Sequence, residues 1–186
     1  MKKIVLTFGL ISGAVISVMM AVTLPLEEKI GLDSAEVIGY TSMVLAFLLI
    51  FFGVRSYRDN VAGGTVKFGR ALAVGVLIGT VSSLCYVATW EVIYYNFMPD
   101  FATKYEARVL EKERASGASE AVLAAKKVEL EKFAKMYKNP FINMAMTFLE
   151  PLPVAVIIAL ISAGILSRRP RRPGSVSLAE RAPVSS

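Results

Sequence analysis

Apolar and polar positions fall in long blocks along this chain instead of alternating with a short period. A bilayer core about 30 Å thick takes roughly 20 apolar residues of helix. Four blocks meet that length, at 4–24, 37–54, 71–95 and 141–166. The first contains no charge, and the second includes the run MVLAFLLIFFGV. Folded in water, such blocks would need amphipathic partners to cover them, and the chain has almost none. The pattern therefore predicts four membrane-spanning helices.

The first block, preceded by Lys2 and Lys3, also has the outline of a signal peptide. Its apolar part runs for about 21 residues, past the 7–15 of a signal core, and Thr23 stands where a small residue would mark cleavage. It is read as a retained helix.

Between the third and fourth blocks, residues 100–139 are polar but periodic. Phe101, Tyr105 and Val109 recur every fourth position; Leu123, Leu130, Phe133 and Tyr137 continue a helical stripe after the break Ser116-Gly117-Ala118-Ser119. Ser119 is a plausible N-cap ahead of Glu120, and Asn139-Pro140 ends the segment. Two polar helices are expected, as a helical hairpin or as extensions of the flanking spans. Such a pair serves either as a solvated linker or as a docking surface for an envelope protein.

Charge orients the spans. The segments before the first span, between the second and third, and after the fourth hold eleven Lys/Arg against two acids. The two intervening segments hold ten Lys/Arg against eleven acids. Short loops rich in Lys and Arg stay in the cytoplasm. Both termini are thus expected inside, with residues 25–36 and 100–139 outside. Arg55, Arg58, Lys67 and Arg70 would also touch anionic lipid headgroups. Trp90, Tyr94, Tyr95 and Phe97 cluster where the third span ends, as an interfacial aromatic belt or as bundle packing. The Pro-, Arg- and Ser-rich stretch 168–186 is expected to be a disordered basic cytoplasmic tail.

Composition narrows the chemistry. The chain has 186 residues, 55% apolar and 19% charged, with net charge +6, one cysteine and no histidine. Catalytic triads and metal sites that need histidine are excluded, and Cys85 has no disulfide partner within the chain. No phosphate-cradling glycine motif is present, and neither a cofactor nor nucleic-acid binding is indicated. Small residues recur every fourth position at Gly9, Gly13, Ser17 and Ala21, at Ala71, Gly75, Gly79 and Ser83, and at Ala155, Ala159, Ala163 and Ser167. Such ladders pack helices closely within one chain or form the seam of a homo-oligomer.

Two acids lie inside spans. Helical rise places Glu91 and Glu150 at similar depth, near the outer boundary, where they could meet. Intramembrane carboxylates can mark an ion path, or simply reach interfacial water or a tyrosine such as Tyr86 or Tyr94. Pro151 and Pro153 follow Glu150 and should kink or break the fourth helix.

The run FGVRSYRDNVAGGTVKFGRALAVG, and the later YKNPFINMAMTFLEPLPVAVIIALISAGILSRR, resemble a bacterial membrane family catalogued as domain of unknown function 4199. Its members, common in Bacteroidetes, show a "YRD…GG…FG" pattern after the second span. Tyr57, Arg58, Asp59, Gly63, Gly64, Phe68 and Gly69 carry the most specific part of the likeness. The resemblance covers about residues 1–170 and implies a four-pass inner-membrane protein, with no activity attached.

The expectation is an all-α membrane protein: four transmembrane helices over residues 1–167, with an outward-facing helical hairpin between spans three and four. Its expected role is non-enzymatic, in interaction or envelope organisation in the bacterial inner membrane, with the bilayer, an envelope protein or a second copy as partner. The competing function is a small ion-coupled transporter or channel component using Glu91 and Glu150.

Overall fold

A computed structural model describes residues 1–168 as helices joined by short turns. Residues 169–186, most of the expected cytoplasmic tail, lie outside the described residues. In chain order the helices are α1 (Lys2–Ile30), α2 (Leu32–Asn60), α3 (Phe68–Phe97), α4 (Phe101–Ala115), α5 (Glu120–Tyr137), α6 (Pro140–Leu149) and α7 (Leu152–Leu166). Four segments are long and apolar enough to cross a membrane: Lys2–Leu26, Asp33–Asn60, Phe68–Phe97 and Pro140–Leu166. Large apolar side chains such as Leu45, Phe141, Ile157 and Ile161 stand on their outer faces. A soluble monomer rarely leaves so continuous an apolar surface uncovered.

α3 is the central helix. Half of its apolar stretch is buried, against 28% for the first span. Small residues set its spacing to two neighbours. A Cβ at Gly9 would lie 2.7 Å from Val81 Cβ, and one at Gly13 would lie 2.6 Å from Cys85 Cβ, so α1 and α3 touch along that ladder. A Cβ at Gly75 or Gly79 would lie 2.9 Å from the Cβ of Ala159 or Ala155, which joins α3 to α7. The α3 and α7 ladders therefore meet each other inside the chain, and the α1 ladder packs on Val81 and Cys85 of α3. Gly53 makes a further close approach, with Ile78 Cδ1 2.5 Å from where its Cβ would be. Lipid supplies no hydrophobic drive between helices, so van der Waals contact and interhelical hydrogen bonds must hold them. Ser12 Oγ donates to the Ala46 carbonyl at 2.9 Å, Ser82 Oγ to the Gly9 carbonyl at 3.1 Å, and Thr89 Oγ1 to Ser17 Oγ at 2.8 Å.

The basic positions gather at one end of the bundle. Val5, Tyr57, Val66 and Leu166, each a few residues from them, share one buried cluster. Here α2 turns into α3. Gly63 and Gly64 take φ of 69° and 85°, and the Gly64 N–H donates to the Arg58 carbonyl at 2.9 Å. A side chain at such a φ costs about 1–2 kcal/mol. Gly64→Ala should lower stability by that amount, whereas Gly69→Ala, where a Cβ meets nothing within 4 Å, should be neutral or slightly stabilising. Chemical unfolding in mixed micelles checks the difference.

At the other end the structure departs from the expected loop over residues 25–36. α1 continues through Pro25 to Ile30, and α2 begins two residues later. Pro25 removes one hydrogen bond, to the Ala21 carbonyl, without ending the helix. The reversal rests on Gly31 alone, at φ 80°. No L-residue adopts that angle readily, so glycine shrinks a twelve-residue loop to a single hinge.

α6 and α7 form one span in two pieces, interrupted at Glu150 and Pro151. Pro151 and Pro153 lack the N–H groups that would bond the carbonyls of Thr147 and Leu149. Asn139 caps α6, its Oδ1 accepting from the Phe141 N–H at 3.0 Å, and Ser119 Oγ accepts from the Val122 N–H at the start of α5.

Candidate functional site

Beyond Ser17 the small-residue ladder of α1 gives way to Met19, Met20 and Leu24, and Ala21 is exposed. At the end opposite the basic cluster, residues of α1, α2 and α3 line a common space. A chamber of about 710 Å³ opens between them. That volume lies within the 300–1,000 Å³ typical of ligand sites.

The chamber is layered. Ile16, Met19, Met20 and Met43 form its apolar depth, and Tyr40, Tyr86 and Trp90 its walls. The α4–α5 pair supplies the roof. Gly117, at φ 83°, turns the chain between these two helices. Tyr105 and Phe133 then stand 6.3 Å apart and Phe101 and Tyr137 6.1 Å apart, an antiparallel register. The roof is fastened to α3 by rings: Trp90 to Phe101 at 4.8 Å, edge-on, and Tyr94 to Tyr137 at 5.6 Å. Such edge-to-face pairs add about 0.5–1.5 kcal/mol each beyond burial. On the far side Lys112 of α4 pairs with Asp33 of α2, and this neighbour raises the Lys112 pKa. Burial pushes the Tyr137 phenol up to about 12.

Trp90 and Tyr94 are buried, while Tyr95 and Phe97 are exposed at 51% and 75%. The aromatic group at the end of α3 thus divides into a packing pair and an outward pair.

Glu150 lines the chamber from the break between α6 and α7. Its Oε2 accepts a hydrogen bond from Tyr86 Oη at 3.1 Å. Glu91 is not among the residues lining the chamber, and its Oε1 is buried without a partner among the described residues. Helical rotation separates the two roles. Tyr86, Trp90 and Tyr94, spaced by four, share one face of α3, and Glu91 lies about 100° round from Trp90. The structure brings Glu150 to a tyrosine and forms no hydrogen bond between it and Glu91.

Asn143 is a polar residue that a reading based on charge passes over. It is fully buried on α6. Its Oδ1 accepts from Trp90 Nε1 at 3.1 Å and from Thr147 Oγ1 at 3.2 Å. An amide inside an apolar run was its available signal, because buried amides require partners.

The loop residues Tyr57 to Gly69 lie at the opposite end. Tyr57 is buried in the core and its carbonyl accepts the Val61 and Ala62 N–H groups. Arg58 Nε donates to Asp59 Oδ1 at 2.7 Å, and Arg55 Nε lies 3.7 Å from Asp59 Oδ2. Phe68, exposed, opens α3, and a Cβ at Gly69 would meet nothing within 4 Å. These residues build a tight turn at the end of the bundle away from the chamber.

Among the described residues no cluster of Cys, Asp and Glu is placed to hold a metal ion. No curated protein and no solved structure matches this chain. A family model does match, described as "Protein of unknown function (DUF4199)", over residues 7–168. That match takes in most of the first span, the other three, the paired-glycine turn and the roofed chamber, and the chain belongs to this family.

Proposed function

We propose that this membrane protein is a non-enzymatic interaction protein of a bacterial inner membrane, with both termini cytoplasmic and the α4–α5 pair facing outward over a binding chamber. The observation that carries the reading is the roofed chamber itself. A polar helix pair is fastened by aromatic rings and an ion pair over a ligand-sized space at one end of an otherwise close-packed bundle. The orientation is supported by Lys2, Lys3, Arg55, Arg58, Lys67 and Arg70 at the other end, beside the inner-leaflet headgroups. An envelope-organising role would use the outer surface of the same roof.

The ion-coupled reading needs Glu91 and Glu150 on one path. Glu150 faces the chamber and Glu91 does not, and below the chamber the glycine contacts close α1 onto α3 and α3 onto α7. The interaction reading is the better supported.

Cysteine labelling tests it, in a Cys85→Ala background. Ser116→Cys should react with a membrane-impermeant maleimide in cells with a permeabilised outer membrane, and Thr65→Cys only after lysis. Gly39→Cys, lining the chamber, should react from outside. Its rate should rise at least tenfold when Tyr137→Ala undocks the roof. Labelling of Thr65→Cys before lysis would overturn the orientation. A Gly39→Cys rate indifferent to Tyr137→Ala would overturn the roof.

A further inference from the structure

The chamber's chemistry is lopsided. Five carboxylates line it against two ammonium groups, Lys112 and Lys126, among the described residues. Both ammoniums are already engaged, Lys112 with Asp33 and Lys126 with Glu129 at 3.0 Å. Glu36, Glu113 and Glu150 form no salt bridge with either ammonium, although Glu36 and Glu113 lie near enough to Lys112 to raise its pKa. The remaining lining includes seven aromatic side chains and three methionines. Ring faces and thioethers are soft, polarisable and negative toward a ligand, and they attract cations that hold their water weakly. An anion would meet net negative charge with no free donor cation. A small, strongly hydrated cation would gain little from rings.

The geometry points to an organic cation with an apolar body, of the quaternary ammonium or phosphonium kind, as the ligand of this chamber. Its charged centre sits between the Tyr86–Glu150 pair and the Trp90 ring, and its apolar part against Met19, Met20 and Met43. Glu150 is suited to this. Tyr86 fixes one of its oxygens, while Oε1 takes no hydrogen bond from the described residues and remains for the ligand's charge. The inference rests on the chamber being a binding site and adds the class of ligand.

The test uses the full chain in dodecyl maltoside, with binding followed by calorimetry and by the emission of Trp90, the single tryptophan. Tetraphenylphosphonium and tetraphenylborate have the same shape and opposite charge. The phosphonium should bind saturably and at least tenfold tighter than the borate, and also tighter than tetramethylammonium, which lacks the apolar body. Glu150→Gln keeps the Tyr86 hydrogen bond and should weaken the phosphonium about tenfold. Gly39→Leu checks the location without touching charge. Gly39 lines the chamber and a Cβ there meets nothing within 4 Å, so the variant folds and fills the space. It should abolish binding. Borate binding as tight as phosphonium would overturn the cation assignment while leaving a binding chamber. Equal binding of tetramethylammonium would overturn the need for an apolar body. Phosphonium binding that survives Gly39→Leu would overturn the location. Absence of saturable binding by every probe would overturn the ligand class, with roof-dependent labelling of Gly39→Cys still reporting separately on the chamber.

Discussion

Gly75→Leu is expected to destabilise the isolated monomer by about 3 kcal/mol, because it drives a branched side chain into two helices at once. Even a Cβ at this position would lie 2.9 Å from Ala159 Cβ, 3.3 Å from Ala159 Cα and 3.2 Å from Ile50 Cγ2. Two of those atoms belong to the α7 chain at Ala159 and have no rotamer through which to escape. The helices must therefore separate, and separation removes the contacts that hold α3 to α7. Gly164→Leu is the matched control: it makes the same chemical change in a spanning helix, but nothing lies within 4 Å of its Cβ. It should alter stability by no more than about 0.5 kcal/mol. Reversible SDS unfolding in mixed micelles, followed through Trp90 emission, gives both numbers. If Gly75→Leu left monomer unfolding unchanged and only shifted an oligomer equilibrium, the ladder would be a seam between copies and the packing described here would be wrong.

That prediction starts from residues whose spacing was already visible in the sequence, and it shows why part of the molecule was legible. A span is a property of composition over some 20 residues, so the four blocks stand out without knowledge of their neighbours. A ladder of small residues is likewise a one-helix pattern, and its period alone places it on one face. The charge imbalance between alternate segments is also additive along the chain. The α1–α2 turn failed this kind of reading for a physical reason. Pro25 ordinarily stops a helix, and the acidic stretch after it has the composition of a loop. Yet one lost hydrogen bond near a helix end is tolerable, and the single residue able to reverse the chain, Gly31, carries no local mark that separates it from other glycines.

The chamber was illegible for a different reason. Its lining is drawn from α1, α2, α3, α4, α5 and the break between α6 and α7, and distance between helices is not encoded in the period of any one of them. The same holds for the pairing of acids. Rise along a helix assigns Glu91 and Glu150 a similar depth, but depth leaves rotation open, and Glu150 pairs with Tyr86. Asn143 shows a third kind of gap. An uncharged amide hardly changes the hydropathy of its block, although full burial makes its two hydrogen bonds from Trp90 and Thr147 structurally costly to lose.

Tyr137 is where roof and bundle are joined, and its removal should have the second large effect. The residue is 7% exposed and its ring contacts Tyr94 at 5.6 Å, Phe133 at 5.2 Å and Phe101 at 6.1 Å. Tyr137→Ala takes away the shared member of that group, and large aromatic truncations of this kind cost about 3–5 kcal/mol. Much of that loss falls on one local equilibrium, the docking of α4 and α5 on α3. Amide hydrogen exchange should therefore accelerate at least a hundredfold across α4 and α5, while the α1–α3 and α3–α7 contacts, which share no atom with Tyr137, keep their protection. Uniform acceleration over all helices would show that the roof is not a separable unit. The phenol adds a pH signature. Burial raises its pKa from the ordinary 10 to about 12, so the docked form resists deprotonation more than the undocked form does. The contribution of the neutral phenol is complete below pH 10 and is lost as pH rises through 12. Roof opening should accordingly steepen across pH 10–12 in the parent protein. Tyr137→Phe keeps the ring and discards the titrating group, so its opening should lose this component of the pH dependence while retaining most of the docking strength, and an unchanged profile would place the titrating group elsewhere.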